Sequence, residues 1–271
     1  MARLVVVANR LPVSVAVRRE GLRVSPSPGG LASGLSSCFR PERDRWVGWP
    51  GIAAERLDPD QRRRLEADLR ARGQVPVLLS QEEMDRFYLG FANGTFWPLA
   101  HYFPTYAVYD PALWEAYRQV NGRFADAVRE VAEPGDVIWV HDYHLMLLPQ
   151  LLRQQLGPGA AIGFFLHIPF PAFEVFRALP WRRAIVEGLL GADLVGFHTY
   201  DDVLHFLEAV RRLTGVSDHV GRITWDGRVV AVDAFPMGID VERWGGAGGQ
   251  ADVREQMARV RQQLGSTRVV L

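Results

Sequence analysis

The sequence predicts an α/β protein with a doubly wound, mainly parallel sheet. Short apolar runs of strand length alternate with amphipathic segments of helix length over most of the 271 residues. Strands that are separated by helices pair in parallel through right-handed crossovers, which produces such a sheet. The apolar runs are also nearly continuous, which is typical of parallel strands buried on both faces.

Residues 162–171 are the most informative of these runs. Four apolar residues and one glycine lead into His167, and Pro169 and Pro171 follow on either side of a phenylalanine. The run is too short for a membrane span and has no helical period, so we expect a strand. Because neither proline can continue a sheet ladder, His167 should lie where this strand ends. That edge of an open α/β sheet faces the ligand crevice, although a lone histidine there is more often a core residue.

The first half of the chain alternates strands and helices. A helix at residues 31–39 is expected after the turn Pro28-Gly29-Gly30. Ser80 and Glu83 form a capping box that begins another helix. The other elements follow from apolar runs and from the three- and four-residue spacing of apolar side chains. They are strands at 4–8, 46–49 and 75–79 and helices at 61–72 and 114–128.

In the second half of the chain, single predicted strands alternate more regularly with single predicted helices. Asp226-Gly227 joins its last two strands, and both residues tolerate positive φ, so these strands should form a hairpin. The predicted elements are strands at 137–140, 162–166, 194–197, 223–225 and 229–232 and helices at 147–155, 181–190 and 201–213.

The last part of the chain predicts a change of domain. Glycines at residues 245–249 indicate a flexible connector, a helix follows at 253–264, and the chain finishes on an apolar run at 268–271. We therefore expect one domain at residues 1–244. Residues 245–271 would be the linker, helix and first strand of a second, truncated domain.

Composition excludes several classes of function. Lysine plus arginine and aspartate plus glutamate each number 31, which gives no electrostatic reason to expect nucleic acid or an anionic membrane as a partner. The single cysteine, Cys38, excludes a disulfide framework and fits a reducing compartment. The N-terminal apolar run is too short for a signal peptide, and no run reaches transmembrane length. We expect a cytoplasmic protein, and the sequence leaves homo-oligomer formation open.

Groups that suit an anion stand near the first predicted strand. Arg10 follows that strand, and a guanidinium can bind a phosphate through two parallel hydrogen bonds; the alternative is an ordinary surface arginine. Gly29 and Gly30 precede a helix, where unpaired N–H groups can bind an anion, although such a pair is more often only a turn.

His141-Asp142-Tyr143-His144 directly follow the strand at 137–140. This spacing could hold a metal, but no second cluster of acidic or thiolate ligands supports a closed site. Asp142 is better suited to accept hydrogen bonds from two adjacent sugar hydroxyls. Aromatic residues at 87–102 are either core or platforms for pyranose rings. Together these groups predict a sugar-phosphate site beside a nucleotide-sugar site.

Eight segments also carry a resemblance to a known family, namely residues 8–12, 29–32, 46–51, 97–98, 139–145, 164–171, 188–199 and 235–240. In this order they resemble the trehalose-6-phosphate synthase family, retaining glycosyltransferases with two Rossmann-like domains, the GT-B architecture. The resemblance covers essentially the whole chain and matches the N-terminal domain. It implies transfer of glucose from a nucleoside-diphosphate glucose, UDP-glucose above all, to glucose 6-phosphate. The product would be α,α-trehalose 6-phosphate, and no cofactor or metal would be needed.

The resemblance also implies roles for acceptor-binding residues. Arg10 and Tyr88 would bind the phosphate of glucose 6-phosphate. Asp142 would hold the hydroxyls of the acceptor and would be a catalytic residue, and Trp97 would shape the acceptor pocket. The family usually has an asparagine after the tyrosine, where this chain has Leu89.

On the donor side, Gly29 and Gly30 would face the pyrophosphate of the nucleotide sugar. His167 would hydrogen-bond the donor glucose and orient it, which makes it the second predicted catalytic residue. In the family, further cationic groups for the donor phosphates lie in the second domain. The resemblance therefore implies that these 271 residues alone do not carry out transfer.

Two alternatives to the synthase stay open. One is a non-catalytic sugar-phosphate sensor or an inactive remnant of the enzyme. The other is a related synthase that uses glycerol 3-phosphate as acceptor, because Leu89 replaces a polar residue beside Tyr88. A dehydrogenase is disfavoured, since no Gly-x-Gly-x-x-Gly turn follows the first strand.

Overall fold

The structure is a computed structural model that describes residues 2–18, 21–27, 30–35, 39–238, 241–265 and 267. The chain divides into a large unit that ends at Pro236 and a short unit that begins at Met237. The predicted boundary after residue 244 lies inside the short unit, and the assignment of that unit to a second domain stays a prediction. Within the described ranges, no helix is both long enough and apolar enough to cross a membrane.

The strands among the described residues are β1 (Leu4–Arg10), β2 (Val13–Arg18), β3 (Gly21–Pro26), β4 (Arg45–Trp49), β5 (Gln74–Pro76), β6 (Val137–His141), β7 (Ala161–Phe165), β8 (Leu194–Phe197), β9 (Arg222–Trp225) and β10 (Arg228–Ala234). Eight of them form one sheet in the order β5-β4-β1-β6-β7-β8-β10-β9. Every neighbouring pair in it is parallel except β9 and β10. The predicted α/β fold with a mainly parallel, doubly wound sheet is confirmed, and so is the hairpin at Asp226-Gly227, whose φ angles are 48° and 72°.

Strands β2 and β3 form a separate antiparallel hairpin. The sequence does not predict this hairpin, because no Asn-Gly or Asp-Gly pair stands between the two segments. The predicted strand at residues 268–271 lies outside the described residues, so it stays a prediction.

The α-helices of the described chain are α1 (Gly30–Leu35), α2 (Pro59–Arg70), α3 (Gln81–Glu83), α4 (Trp97–Ala100), α5 (Pro111–Val131), α6 (Leu148–Leu156), α7 (Phe173–Phe176), α8 (Arg182–Leu189), α9 (Tyr200–Thr214), α10 (Val241–Gly246) and α11 (Ala251–Leu264). The predicted capping box is present, because Ser80 and Glu83 exchange side-chain and backbone hydrogen bonds. Between α3 and α4 the chain continues as a π-helix, Met84–Phe96. Residues 245–249 lie in the end of α10 and in the 3-10 turn Ala247–Gly249, and their assignment to a linker stays a prediction.

Two hydrophobic core clusters cover the two faces of the sheet. Val5 and Val7 of β1 belong to one cluster, and Val6 and Ala8 belong to the other. Successive side chains of a strand point to opposite faces, so both faces of β1 are buried. This explains why the strand is a continuous apolar run in the sequence.

Two glycines let α8 and the turn after it approach the backbone around α6. A Cβ added at Gly188 would lie 2.5 Å from the Met146 carbonyl oxygen. A Cβ added at Gly191 would lie 2.3 Å from the backbone nitrogen of Gln150. Since backbone atoms cannot turn aside as a flexible side chain can, any larger residue would push the two helices apart.

We expect Gly191→Ala to lower the free energy of unfolding by about 1–3 kcal/mol through overpacking. Gly122→Ala is the matched control, because no atom lies within 4 Å of a Cβ added there in α5. That substitution should raise stability by about 0.5–1 kcal/mol. Urea unfolding followed by circular dichroism measures both effects, and equal stability of the two variants would contradict the close approach.

Candidate functional site

The carboxyl ends of β1 and β6 border one cleft of about 350 Å³. These two strands are neighbours in the sheet, so the residues that follow them are brought together. The cleft contains three of the predicted acceptor residues and the first residue of α1. Its lining is Ala8, Asn9, Arg10, Leu11, Pro12, Ser27, Gly30, Leu31, Trp46, Tyr88, His141, Asp142 and His144.

The segment around the end of β4 positions Arg10. The guanidinium carbon of Arg10 lies 4.6 Å from the centre of the Trp49 ring, within the range of a cation–π contact. Trp49 is itself fixed, because its indole N–H donates to the Ile52 carbonyl at 2.9 Å. Gly51 has φ 88°, and a Cβ there would lie 2.6 Å from Nη2 of Arg10. Residues 46–51 therefore hold the Arg10 guanidinium in position.

The Arg10 guanidinium has no carboxylate partner among the described residues, where its contacts are the Trp49 ring and the nearby Tyr88. Burial lowers the pKa of Arg10 from its usual value, and the charge of Tyr88 acts in the opposite direction. A guanidinium that is seated in a cleft without an ion pair is well suited to bind a phosphate with two parallel hydrogen bonds.

The imidazole of His144 lies between two tyrosine rings. Tyr88 stacks on it with 5.4 Å between ring centres and 10° between planes, and Tyr143 contacts it with 3.9 Å between centres. Burial lowers the pKa of His144 to about 3, so the ring is neutral at physiological pH. His144 is one of the residues that line the cleft, and the sequence did not predict this position for it.

Asp142 has an unusual backbone. Its φ of 74° and ψ of 167° fall in a region that is essentially restricted to glycine, and such strain costs about 1–3 kcal/mol and clusters at functional sites. One carboxylate oxygen accepts the backbone N–H of His167 at 3.2 Å. Burial raises the pKa of Asp142 to about 6, although the backbone N–H groups of Tyr143 and His167 act to lower it.

His167 extends the site from β6 to β7. One ring nitrogen, Nε2, lies 3.1 Å from Nδ1 of His141, and the His198 ring lies at 5.6 Å between centres. Burial, and then the charge of His198, lower the pKa of His167 to about 4. Three strand ends, those of β6, β7 and β8, thus bring three histidines together.

Four buried polar atoms of the cleft lining make no hydrogen bond with the described residues. They are Oδ1 of Asn9, Nε2 of His141 and both ring nitrogens of His144. Buried polar atoms are nearly always paired, so these four unpaired atoms distinguish this end of the sheet from an ordinary core. With one guanidinium and one carboxylate beside them, they suit a polyhydroxylated anion.

The structure does not bring every predicted residue to this cleft. Trp97 is 41% exposed and stacks on His101 with 4.0 Å between ring centres. Neither Trp97 nor His167 is among the residues that line the cleft. Gly29 lies outside the described residues, whereas Gly30 begins α1 at the cleft with no atom within 4 Å of an added Cβ. Trp49, Gly51 and His144 are the residues that the sequence did not single out, although all three stand in tracts 46–51 and 139–145.

The chain is similar in sequence and in structure to known proteins. The chain is 46% identical to the bifunctional trehalose-6-phosphate synthase/phosphatase of Thermoproteus tenax, over 99% of the chain and 37% of that protein. An α,α-trehalose-phosphate synthase (UDP-forming) of Burkholderia xenovorans, solved with glucose 6-phosphate, is 31% identical with a TM-score of 0.74, over 95% of this chain and 55% of that one. The E. coli trehalose-6-phosphate protein bound to UDP-2-fluoro glucose is 29% identical with a TM-score of 0.77, over 97% of this chain and 54% of that one.

The chain therefore spans about half of these solved proteins and less of the Thermoproteus relative, while nearly all of its own length is matched. The sequence model of glycosyltransferase family 20 matches residues 2–271. The resemblance to the N-terminal domain of trehalose-6-phosphate synthases is confirmed, and the chain belongs to glycosyltransferase family 20.

Proposed function

We propose that this chain is the acceptor-binding half of a trehalose-6-phosphate synthase, which transfers glucose from UDP-glucose to glucose 6-phosphate. The observation that carries the proposal is the cleft at the ends of β1 and β6. Its lining contains the Arg10 guanidinium, the Asp142 carboxylate and the ring nitrogens of His144, and among the described residues Arg10 has no ion pair and the His144 nitrogens have no hydrogen bond. A hexose phosphate has the complementary groups, an anionic end and a ring of hydroxyls.

In this proposal the phosphate binds Arg10 and Tyr88, and the hexose hydroxyls bind Asp142. The solved relative that holds glucose 6-phosphate supports this choice of acceptor. The pKa of about 6 leaves the carboxylate of Asp142 mostly ionised at neutral pH, so it can accept hydrogen bonds from two hydroxyls. Trp97 would join the pocket only if the indole leaves His101.

For the donor, we propose that His167 hydrogen-bonds the glucose of the nucleotide sugar and that the backbone at Gly29 and Gly30 faces its pyrophosphate. The relative bound to UDP-2-fluoro glucose supports a UDP sugar as the donor. The departing diphosphate needs preorganised positive charge, and the cleft lining offers the single cation Arg10. We therefore assign the remaining cations to the half of the family enzymes that this chain does not match, and we expect no transfer by these 271 residues alone. The single cysteine favours a cytoplasmic location.

The test is a calorimetric or NMR titration of this chain with glucose 6-phosphate, glycerol 3-phosphate and glucose. We expect glucose 6-phosphate to bind at least about tenfold more tightly than either other ligand, which corresponds to about 1.4 kcal/mol. Only glucose 6-phosphate has both a phosphate for Arg10 and the hydroxyls of a hexose for Asp142. Leu89, which stands where the family usually has an asparagine, should not change this order of affinities. It is 57% exposed and is not part of the cleft lining.

The competing functions give different titrations. A glycerol 3-phosphate synthase would bind that ligand as tightly as glucose 6-phosphate or more tightly. A sensor would bind glucose 6-phosphate, but it would release no UDP from UDP-glucose even when it is joined to the half of a family enzyme that this chain does not match. No binding of any of the three ligands would contradict an acceptor site at this cleft.

A further inference from the structure

His141 is a buried residue to which the proposed function gives no role. It ends β6, its side chain is 0% exposed, and its ring contacts the Trp139 ring at 4.5 Å between centres. Its Nδ1 lies 3.1 Å from Nε2 of His167, a hydrogen-bond distance. Neither sheet pairing nor the core needs a polar ring at this position.

The environment of the pair decides which nitrogen carries the proton. Burial lowers the pKa of His141 to about 3 and that of His167 to about 4, so both rings are neutral at pH 7. One of the two facing nitrogens must then donate and the other must accept. Nε2 of His141 is buried and has no partner among the described residues. A proton on that Nε2 would leave an orphaned buried N–H, which is rarer in proteins than an orphaned acceptor.

The proton of His141 therefore belongs on Nδ1, which donates to Nε2 of His167. Because Nε2 of His167 accepts, the proton of His167 must lie on its Nδ1. That Nδ1 has no hydrogen-bond partner within the described ranges and is not among the buried unpaired atoms. The backbone of His167 is held as well, since its N–H donates to Asp142.

We propose that His141 is a positioning residue that fixes the tautomer of His167, so that His167 presents an Nδ1–H donor to the oxygen of a sugar hydroxyl. The ligand side of this inference rests on the proposed function, in which His167 faces the hexose of a sugar nucleotide. The tautomer itself does not depend on that function. This difference allows the two to be tested separately.

The first test is nitrogen NMR of the chain with ¹⁵N-labelled histidine at pH 7, with His167→Gln used to assign the His167 signals. We expect a protonated Nδ1 and an unprotonated Nε2 for His167. In His141→Leu this preference should be lost, and in His141→Asn, whose amide can donate from nearly the position of Nδ1, it should return. A protonated Nε2 in the unmodified chain, or an Nδ1–H preference that persists in His141→Leu, would overturn the proposal.

The second test is titration with UDP-glucose. We expect His141→Leu to weaken UDP-glucose binding about fivefold to tenfold, with His141→Asn restoring most of it, while glucose 6-phosphate affinity changes less than about twofold. If His141→Leu does not fold, the unmodified chain and His141→Asn still decide the tautomer. If the tautomer is as expected but His141→Leu leaves the affinity for UDP-glucose unchanged, the donor assignment of His167 fails and its positioning by His141 stands. Equal losses for both ligands would show that His141 has a merely structural role.

Discussion

Acidification from pH 7.5 to pH 4.5 is expected to lower the free energy of unfolding of this chain by on the order of 5 kcal/mol, which is comparable to the whole stability of many domains. The cause is three histidines that are buried and neutral in the folded chain. The pKa values of His141 and His144 are about 3 and that of His167 is about 4, against 6.5 for an unperturbed histidine.

The direction of the effect follows from proton binding. Below pH 6.5 the unfolded chain takes up protons at these three histidines that the folded chain does not take up, so stability is complete above pH 6.5 and is lost as the pH falls. Asp142 opposes this loss, because its raised pKa of about 6 makes the folded chain bind a proton there between pH 6 and pH 4. One carboxyl group offsets only part of the contribution of three imidazoles.

The measurement is urea unfolding at half-unit steps of pH. His144→Phe should reduce the slope of stability against pH near pH 5.5 by about 1.4 kcal/mol per pH unit, the contribution of one proton. Phenylalanine loses no hydrogen bond there, because both ring nitrogens of His144 are unpaired in the described chain. His219→Gln, at an exposed position, is the control. An unchanged slope in His144→Phe would mean that this imidazole is protonated in the folded chain.

Arg10→Ala is expected to weaken glucose 6-phosphate binding about a hundredfold or more, while glucose binding changes less than about threefold. Each charge-assisted hydrogen bond to a phosphate contributes about 1.5–3 kcal/mol, and a guanidinium can make two in parallel. Arg10→Lys should give an intermediate loss, because an ammonium keeps the charge but not the planar fork. Titration calorimetry with both ligands measures these changes.

Arg64→Ala on the exposed face of α2 is the matched control, since it removes the same charge far from the cleft. Its affinity for glucose 6-phosphate should match that of the unmodified chain. Circular dichroism should show that Arg10→Ala keeps the fold, because the side chain packs on the surface of Trp49 and not in either core cluster. An equal loss of affinity for glucose and glucose 6-phosphate would show that Arg10 does not read the phosphate.

The sequence predicts most of the sheet because parallel strands are buried on both faces. The predicted strand at 194–197 coincides with β8, and the other predicted strands that lie within the described residues agree within a few residues. The π-helix at Met84–Phe96 was not predicted, because the spacing of apolar residues does not distinguish it from an α-helix. Strand β5 ends at Pro76, short of the predicted end at residue 79, although the Val77 N–H still donates to the Gly48 carbonyl at 2.9 Å.

Some residues of the candidate site were predictable from the sequence and others were not. Arg10, Asp142 and His167 follow parallel strands, and the rule that such ends share one edge brings them together. Trp49 acts through a cation–π contact with Arg10 and His144 through ring contacts with two tyrosines, and no spacing in the sequence encodes such contacts. Trp97 shows the reverse, because its indole stacks on His101 four residues later in the chain, where local helical geometry prevails over the distant cleft.

The backbone at Asp142 sets a limit on engineering this protein. Glycine adopts a φ of 74° without steric cost, so a design procedure that scores only thermal stability would select glycine at position 142. Such a variant would relieve the backbone strain but would lack the carboxylate that lines the cleft and accepts the His167 N–H. At position 142, the residue that best suits the backbone is therefore not the residue that the cleft needs. Substitutions intended to stabilise this chain should be made elsewhere, for example at Gly122.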